Sequence, residues 1–284
     1  MKKFLISSLI YFSVFSIWSF YRLDGFQISK VKRLSKVSHD FTADSNVEEI
    51  KFVLDKDFFY LGKGHQCFVF ESEDGDYVIK LLNYRRFDLP PIIRPFAFIP
   101  YIKKMNQVRS LRLQPSLESY CLALRLLKEE TGFMYIQMQN NSFHKVIKIK
   151  DKANNIHKID LFDVDFVVQK KAKPIFEHLE MLYLKNKDKF KEAVDSFLEV
   201  VCSRINKGIS DDDSDIGINY GFYNGKAILI DPGRVFVDDN LFNQVNREKE
   251  ILRSTRNLRK WILNKYPDML PFFDKQRSLK MRTF

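Results

Sequence analysis

The chain has 284 residues, 45% apolar and 14% aromatic, and 47 Lys and Arg against 36 Asp and Glu give a formal charge of +11 at pH 7. That length and apolar share are enough for a good core in one domain of two lobes, and 27 phenylalanines favour an ordered globule over a disordered chain. Three cysteines, Cys67, Cys121 and Cys202, are odd in number and far apart, which points to reduced thiols and away from a disulfide framework, with one pair left open.

Met1-Lys2-Lys3 precedes an apolar run, Phe4 to Tyr21, broken only by scattered serines. Its 18 residues reach the lower length for a membrane span. The run is long for a signal-peptide core, and no small-x-small cleavage site stands before Arg22. An uncleaved signal anchor over residues 1–22 is therefore favoured over a cleaved signal peptide, which would secrete the chain. Arg22, Lys30, Lys32, Arg33 and Lys36 follow it, so the positive-inside rule favours a cytoplasmic carboxyl-terminal domain. Residues 23–48 read as a basic juxtamembrane linker. The +11 charge suits an anionic membrane surface or phosphorylated ligands, or is a plain solvated surface. No recognition motif supports nucleic acid as a partner.

Next comes a turn with Gly62 and Gly64, then Cys67-Phe68-Val69-Phe70, Glu73-Asp74-Gly75-Asp76 and Tyr77-Val78-Ile79-Lys80-Leu81-Leu82. Asp74-Gly75 between apolar runs signals a hairpin. Counting outward pairs Glu73 with Asp76 and Val69 with Lys80, so Val69, Val78 and Lys80 share one face beneath the glycine turn. Two valines there make an apolar lid, one ammonium a phosphate partner, and the glycines allow backbone to approach a phosphate. The competing reading of Lys80, an exposed strand lysine, fits poorly with its apolar neighbours.

Pro115 to Lys128 has helical spacing at Leu117, Tyr120, Cys121, Leu124 and Leu127, with Ser116 as N-cap and Gly132 past the end. Glu118 is the one acid in its body, either paired because a lone carboxylate near an apolar stripe is costly to desolvate, or a first-turn acid held by the helix dipole. Phe133 to Gln139 alternates like a strand. Lys145–Lys150 and Ile156–Leu161 flank a polar turn, and Val164 to Val168 reads as a buried strand. Phe190, Ala193, Val194, Phe197, Leu198, Val201 and Ile205 mark a long amphipathic helix ending near Gly208. Helices from about Asn243 to Asn264 follow.

Between these helices, Asn219 is followed by Tyr220-Gly221-Phe222-Tyr223, Asn224-Gly225, and Lys226 to Ile230, then Asp231-Pro232-Gly233. Asn-Gly is the strongest short hairpin signal, because a type I′ turn needs positive φ at both positions. Counting outward pairs Asn219 with Ile230, which brings the amide of Asn219 and the carboxylate of Asp231 to the same open end. Such a pair could hold a hard cation such as Mg²⁺. Asp-Pro-Gly is also ordinary turn chemistry.

Gly62-x-Gly64-x-x-Cys67-x-Val69 followed by Val78-Ile79-Lys80, with Asn219 and Asp231 in order behind it, resembles the protein kinase-like superfamily over about residues 55 to 240. The resemblance implies an α+β, two-lobed fold: a small antiparallel sheet lobe with one helix over 49–169 and a reduced, mainly helical lobe over 170–284, with a hinge at Gln169 to Pro174. It implies ATP and Mg²⁺ as cofactors, with Gly62, Gly64, Val69, Val78 and Lys80 on the nucleotide and Asn219 and Asp231 on the metal. Glu118 is the residue it pairs with Lys80. The catalytic base of this family lies five residues before the Asn, where this chain has Ser214. Asp213, one residue earlier, is the candidate after a single insertion, and Asp211 and Asp215 are alternatives, or the acidic run is a solvated loop or further cation site. No His-Arg-Asp or Ala-Pro-Glu occurs, and the third loop glycine is Cys67. Phosphotransfer to an unknown small molecule or protein is the first expectation, and a pseudokinase that binds nucleotide or acts as a scaffold is the second. A Walker-type loop, a Gly-x-Ser-x-Gly elbow and trustworthy histidine ligand spacing are all absent.

Overall fold

A computed structural model of the chain describes residues 23–33, 41–42, 47–138, 144–213 and 215–282. The signal anchor expected over 1–22 lies outside the described residues, as do Gln139 and Ser214. Among the described residues no helix is long and apolar enough to cross a membrane. The protein is α+β. It divides into two compact units, 1–113 with 135–169, and 114–134 with 170–284.

The first unit is built on an eight-stranded sheet. Its order is Phe41–Thr42, Phe133–Met138, Phe166–Lys170, Tyr77–Leu82, Cys67–Ser72, Phe58–Lys63, Val146–Lys150 and Ile156–Asp160. The hairpin Cys67–Ser72/Tyr77–Leu82 has the register the sequence predicts, with Val69 opposite Lys80. Its turn is closed by Gly75 N–H on the Ser72 carbonyl at 2.8 Å, with Gly75 left-handed at φ 76°. The Ser72 hydroxyl accepts from the Tyr77 N–H at 3.0 Å, so a side chain completes the turn.

One face of this hairpin, Phe68, Phe70, Ile79 and Leu81, is fully buried. Phe26 stands edge-on to Phe68 and Phe70, at 5.2 Å from each ring. Residues 23–33, expected as part of a linker, are thus packed. Arg33 fastens them further. Its Nε donates to Asp165 Oδ1 at 2.8 Å, and Tyr84 donates its hydroxyl to Asp165 Oδ2. Asp165 is fully buried, and burial beside its carboxylate pushes the Tyr84 phenol far above the ordinary value.

Phe133–Met138 is buried at every position, where alternation was expected. It is an inner strand of the sheet with both faces covered, so burial demands a nearly continuous apolar run, and its one polar residue, Gln137, donates its amide to the Leu161 carbonyl at 2.7 Å. Val146–Lys150 and Ile156–Asp160 pair antiparallel as predicted, Ile147 opposite Ile159.

In the second unit the helix expected at Pro115 begins earlier, at Leu113, and ends at Leu126. Ser116 is therefore a buried helix residue and not the cap. Gly132, left-handed at φ 64°, closes the short helix Lys128–Thr131 behind it. The long helix is Lys187–Asn206, capped by Asn186, whose side chain accepts from the N–H groups of Asp188 and Lys189. Phe190, Val194, Phe197, Leu198 and Val201 form its buried stripe. Ile175–Lys185 precedes it, and Gln244–Lys265 and Leu270–Arg282 close the chain. Arg204 sits inside this helical packing, donating to the Ile209 carbonyl at 2.7 Å and to Glu250 at 3.0 Å.

Candidate functional site

In the first unit, Gly62 pairs with Val69 after a bulge, and the Gly64 N–H donates to the Cys67 carbonyl at 2.9 Å. The glycine turn is therefore a closed hairpin loop. A methyl group added at Gly62 meets nothing within 4 Å, and its φ is not left-handed. Neither packing nor strain requires glycine there, which fits a backbone kept bare for close approach by a ligand. Val69 is half-buried and Val78 buried on the face they share with Lys80. Lys80 is only 4% exposed. An ammonium that deep is costly to desolvate unless an anion meets it.

In the second unit, the Asn219 to Asp231 hairpin is formed as predicted. Tyr223 pairs with Lys226 and Tyr220 with Leu229. Asn224 and Gly225 have φ of 49° and 78°, the two positive values of a type I′ turn. Gly221 is packed so tightly that a Cβ would come within 2.6 Å of the Lys173 carbonyl. At the open end the Asn219 carbonyl accepts from Ile230 N–H at 2.5 Å and Asp231 N–H at 3.3 Å. These backbone bonds hold Asn219 and Asp231 side by side. The Asn219 side chain is buried, and its Nδ2 has no hydrogen-bond partner among the described residues. Leaving such a donor unmade costs on the order of 1–3 kcal/mol.

Asp231 Oδ1 accepts from the Tyr120 hydroxyl at 3.0 Å and the Gly233 N–H at 3.2 Å. Ser119 beside it donates to the Val235 carbonyl at 2.7 Å. Helical spacing puts Tyr120 on the apolar stripe and does not place its hydroxyl. A phenol on a buried helix face needs a polar partner, and that was the available signal. Among the described residues no group of three or more His, Cys, Asp or Glu could hold a metal ion. One carboxylate and one amide suit Mg²⁺, which keeps waters and takes phosphate oxygens for the rest of its shell.

The acidic run forms a ladder of side-chain turns. Asp211 Oδ1 accepts from Asp213 N–H at 2.9 Å, Asp213 Oδ1 from Asp215 N–H at 3.0 Å, and Asp215 Oδ1 from Gly217 N–H at 3.1 Å. Asp215 is exposed and spends its oxygen capping the short helix that ends at Asn219. Asp213 is half-buried, with Arg234 Nε 3.9 Å from its Oδ2. Asp211 is buried in the strand Ile209–Asp211, which pairs with Val235–Val237. Burial pushes its carboxyl up from 3.8 to about 6, against the pull of the Arg204 guanidinium and the Asp213 N–H.

A carboxyl protonated more readily in the folded chain loses stability as pH rises through the window from its unfolded value to about 6. Asp211→Asn removes that loss. The stability of this variant relative to wild type should rise by up to about 3 kcal/mol between pH 4 and pH 7, at about 1.36 kcal/mol per pH unit. Urea unfolding at both pH values measures it, and a flat difference would show that Asp211 titrates normally.

Glu118 is exposed and accepts from Gln114 Nε2 at 3.0 Å on its own helix. An exposed carboxylate calls for no ionic partner, and the desolvation argument for pairing it falls away. Its role toward Lys80 rests on the resemblance alone.

No family model and no curated protein matches the chain. Among solved structures it is similar to WbdD, a bifunctional kinase-methyltransferase, at 14% identity and a TM-score of 0.37, over 76% of this chain and 44% of that one. WbdD with the kinase inhibitor LY294002 matches at 14% identity and 0.36, over 76% and 44%. Rv3197 from Mycobacterium tuberculosis, in complex with erythromycin, matches at 14% and 0.36, over 76% and 53%. The chain spans about half the length of these structures, or less.

Proposed function

We propose that the chain is a phosphotransferase of kinase-like fold that uses ATP and Mg²⁺. The observation that carries this reading is the hairpin end where Asn219 and Asp231 are fixed side by side, the amide buried with an unpaired nitrogen. Asn219 and Asp231 would hold Mg²⁺, with Tyr120 orienting the Asp231 carboxylate. When bound, Mg²⁺ neutralises charge on the phosphates in a reaction that is mostly positioning. The Gly62–Val69 loop covers the phosphates with its backbone, and Val69 and Val78 offer the nucleotide an apolar surface. Lys80 meets the α- and β-phosphates. Glu118 takes up Lys80 in this reading, exchanging Gln114 for it. Asp213 accepts the proton of the acceptor hydroxyl. The segment 1–22, with its apolar run Phe4 to Tyr21, tethers the chain to a membrane, with the remainder on the cytoplasmic side. Secretion through a cleaved signal peptide is the competing address.

Ser214, at the family's base position, favours one second reading: a pseudokinase that binds nucleotide without transferring phosphate. Both readings require nucleotide binding. ATP with Mg²⁺ should raise the melting temperature by mass action. Asp231→Asn should remove most of the Mg²⁺-dependent part, and Lys80→Ala should weaken the response to ATP. No shift up to millimolar ATP, with or without metal, rejects both readings.

A further inference from the structure

Residues 91–112 are a run of 22 positions in which not one residue is buried. The run is nonetheless ordered, as the short helix Arg94–Phe96 and the helix Pro100–Ser110. It is rooted at a packed base, where Phe87 and Leu89 are buried. Arg109 ties the helix back to that base through the Asp88 carbonyl at 3.0 Å, and Arg94 pairs with the Asp88 carboxylate. What the run exposes is unusual for a protein surface. Ile92 is 81% exposed, Phe98 78%, Tyr101 76% and Leu111 73%. Scattered apolar residues need no explanation, but a contiguous stretch of this size does.

Its charge has one sign. Residues 91–112 hold five basic side chains, Arg94, Lys103, Lys104, Arg109 and Arg112, and no acid. Along the helix, Tyr101, Lys104, Val108 and Leu111 recur at intervals of three and four and are all exposed, so aromatic, ammonium and aliphatic groups share one stripe. We propose that residues 91–112 dock on the surface of an anionic lipid bilayer, with the apolar side chains at the headgroup and acyl boundary and the lysines reaching lipid phosphates.

The mixture on that stripe selects this occupant. A lipid interface accepts apolar side chains and lysine heads together, because the lysine stem lies along the apolar layer while its ammonium reaches the phosphates. The centre of a protein interface is depleted of lysine. A single nucleic acid strand would stack on Phe98 and Tyr101 but has no use for Ile92, Val108 and Leu111. With Arg94 on the Asp88 carboxylate and Arg109 on the Asp88 carbonyl, exposed Lys103 and Lys104 supply the charge that complements an anionic leaflet. This contact is additional to any insertion of residues 1–22.

Since the run Phe4 to Tyr21 is itself apolar, flotation of the chain is not the test, and the reporter must sit in the segment. Phe98→Trp in the full chain supplies it, with the signal of Trp18 and Trp261 subtracted using unsubstituted protein. Vesicles of phosphatidylcholine with phosphatidylglycerol should blue-shift the new tryptophan, and brominated lipid should quench it. The Lys103→Ala/Lys104→Ala double variant should weaken this partition about 30-fold, from about fivefold for each lysine near a charged surface. Leu111→Trp is a second reporter should Phe98→Trp fold poorly. A tryptophan that stays in water on anionic vesicles at both positions overturns the proposal. So does an equal response on neutral vesicles, or a shift produced by single-stranded DNA or an acidic protein but not by lipid.

Discussion

Replacing Asp213 with alanine should lower phosphoryl transfer by about 10²–10⁴-fold, the range for loss of a positioned proton acceptor. The rise in melting temperature with ATP and Mg²⁺ should survive, because the base serves the acceptor and not the nucleotide. Two effects compete in choosing the residue. Asp211 has the better-matched acidity, pushed up to about 6 by burial. Asp213 has the better access, being half-buried where Asp211 is closed off. Reach comes before acidity, since a base must touch the proton it removes. Asp211 also has structural work: its carboxylate fixes the Asp213 N–H, and its carbonyl accepts from Arg253. Asp211→Ala should therefore cost stability and lower turnover less than Asp213→Ala. The reverse ranking moves the base to Asp211. Small, equal effects at Asp211, Asp213 and Asp215, with the nucleotide response intact, leave the pseudokinase reading standing.

The parts of the site that were legible were those with strong local rules. Asn224-Gly225 and Asp74-Gly75 each fixed a register, so the placements of Asn219 against Ile230 and Val69 against Lys80 followed by counting. The interior of Lys187–Asn206 was legible because its buried stripe has a clean helical period. Leu270–Arg282 was missed for the opposite reason, since Phe273 is its one buried residue and an amphipathic signal barely exists. Pro100–Ser110 buries none and gave no signal at all. Polar contacts between distant segments were also beyond reach. Nothing local in the sequence joins Tyr120 to Asp231, or Arg33 to Asp165. Arg204 did leave a trace: an arginine three residues after Val201 falls on the buried stripe, and a buried guanidinium implies a carboxylate, here Glu250.

Asp165→Ala should destabilise the first unit by about 3–5 kcal/mol, the cost of breaking a buried ion pair from one side. Arg33 and Asp165 are both shielded from solvent, with nitrogen and oxygen 2.8 Å apart, so the variant leaves a guanidinium without its anion. The Tyr84 hydroxyl loses its acceptor in the same step. The Asp165 carbonyl meanwhile accepts from the Leu82 N–H at 3.0 Å, two residues beyond Lys80. Loosening this point should therefore reach the strand that carries the lysine, and the ATP response should weaken with the stability. The double variant Arg33→Met/Asp165→Leu separates charge from packing. Apolar replacement of both partners of a buried pair is often neutral, so the double should recover most of the stability lost by the single. Urea unfolding of the wild type and the two variants is the measurement. A loss under about 1 kcal/mol for Asp165→Ala, the size of an exposed pair, would mean that water reaches the site and residues 23–33 are not fastened by it.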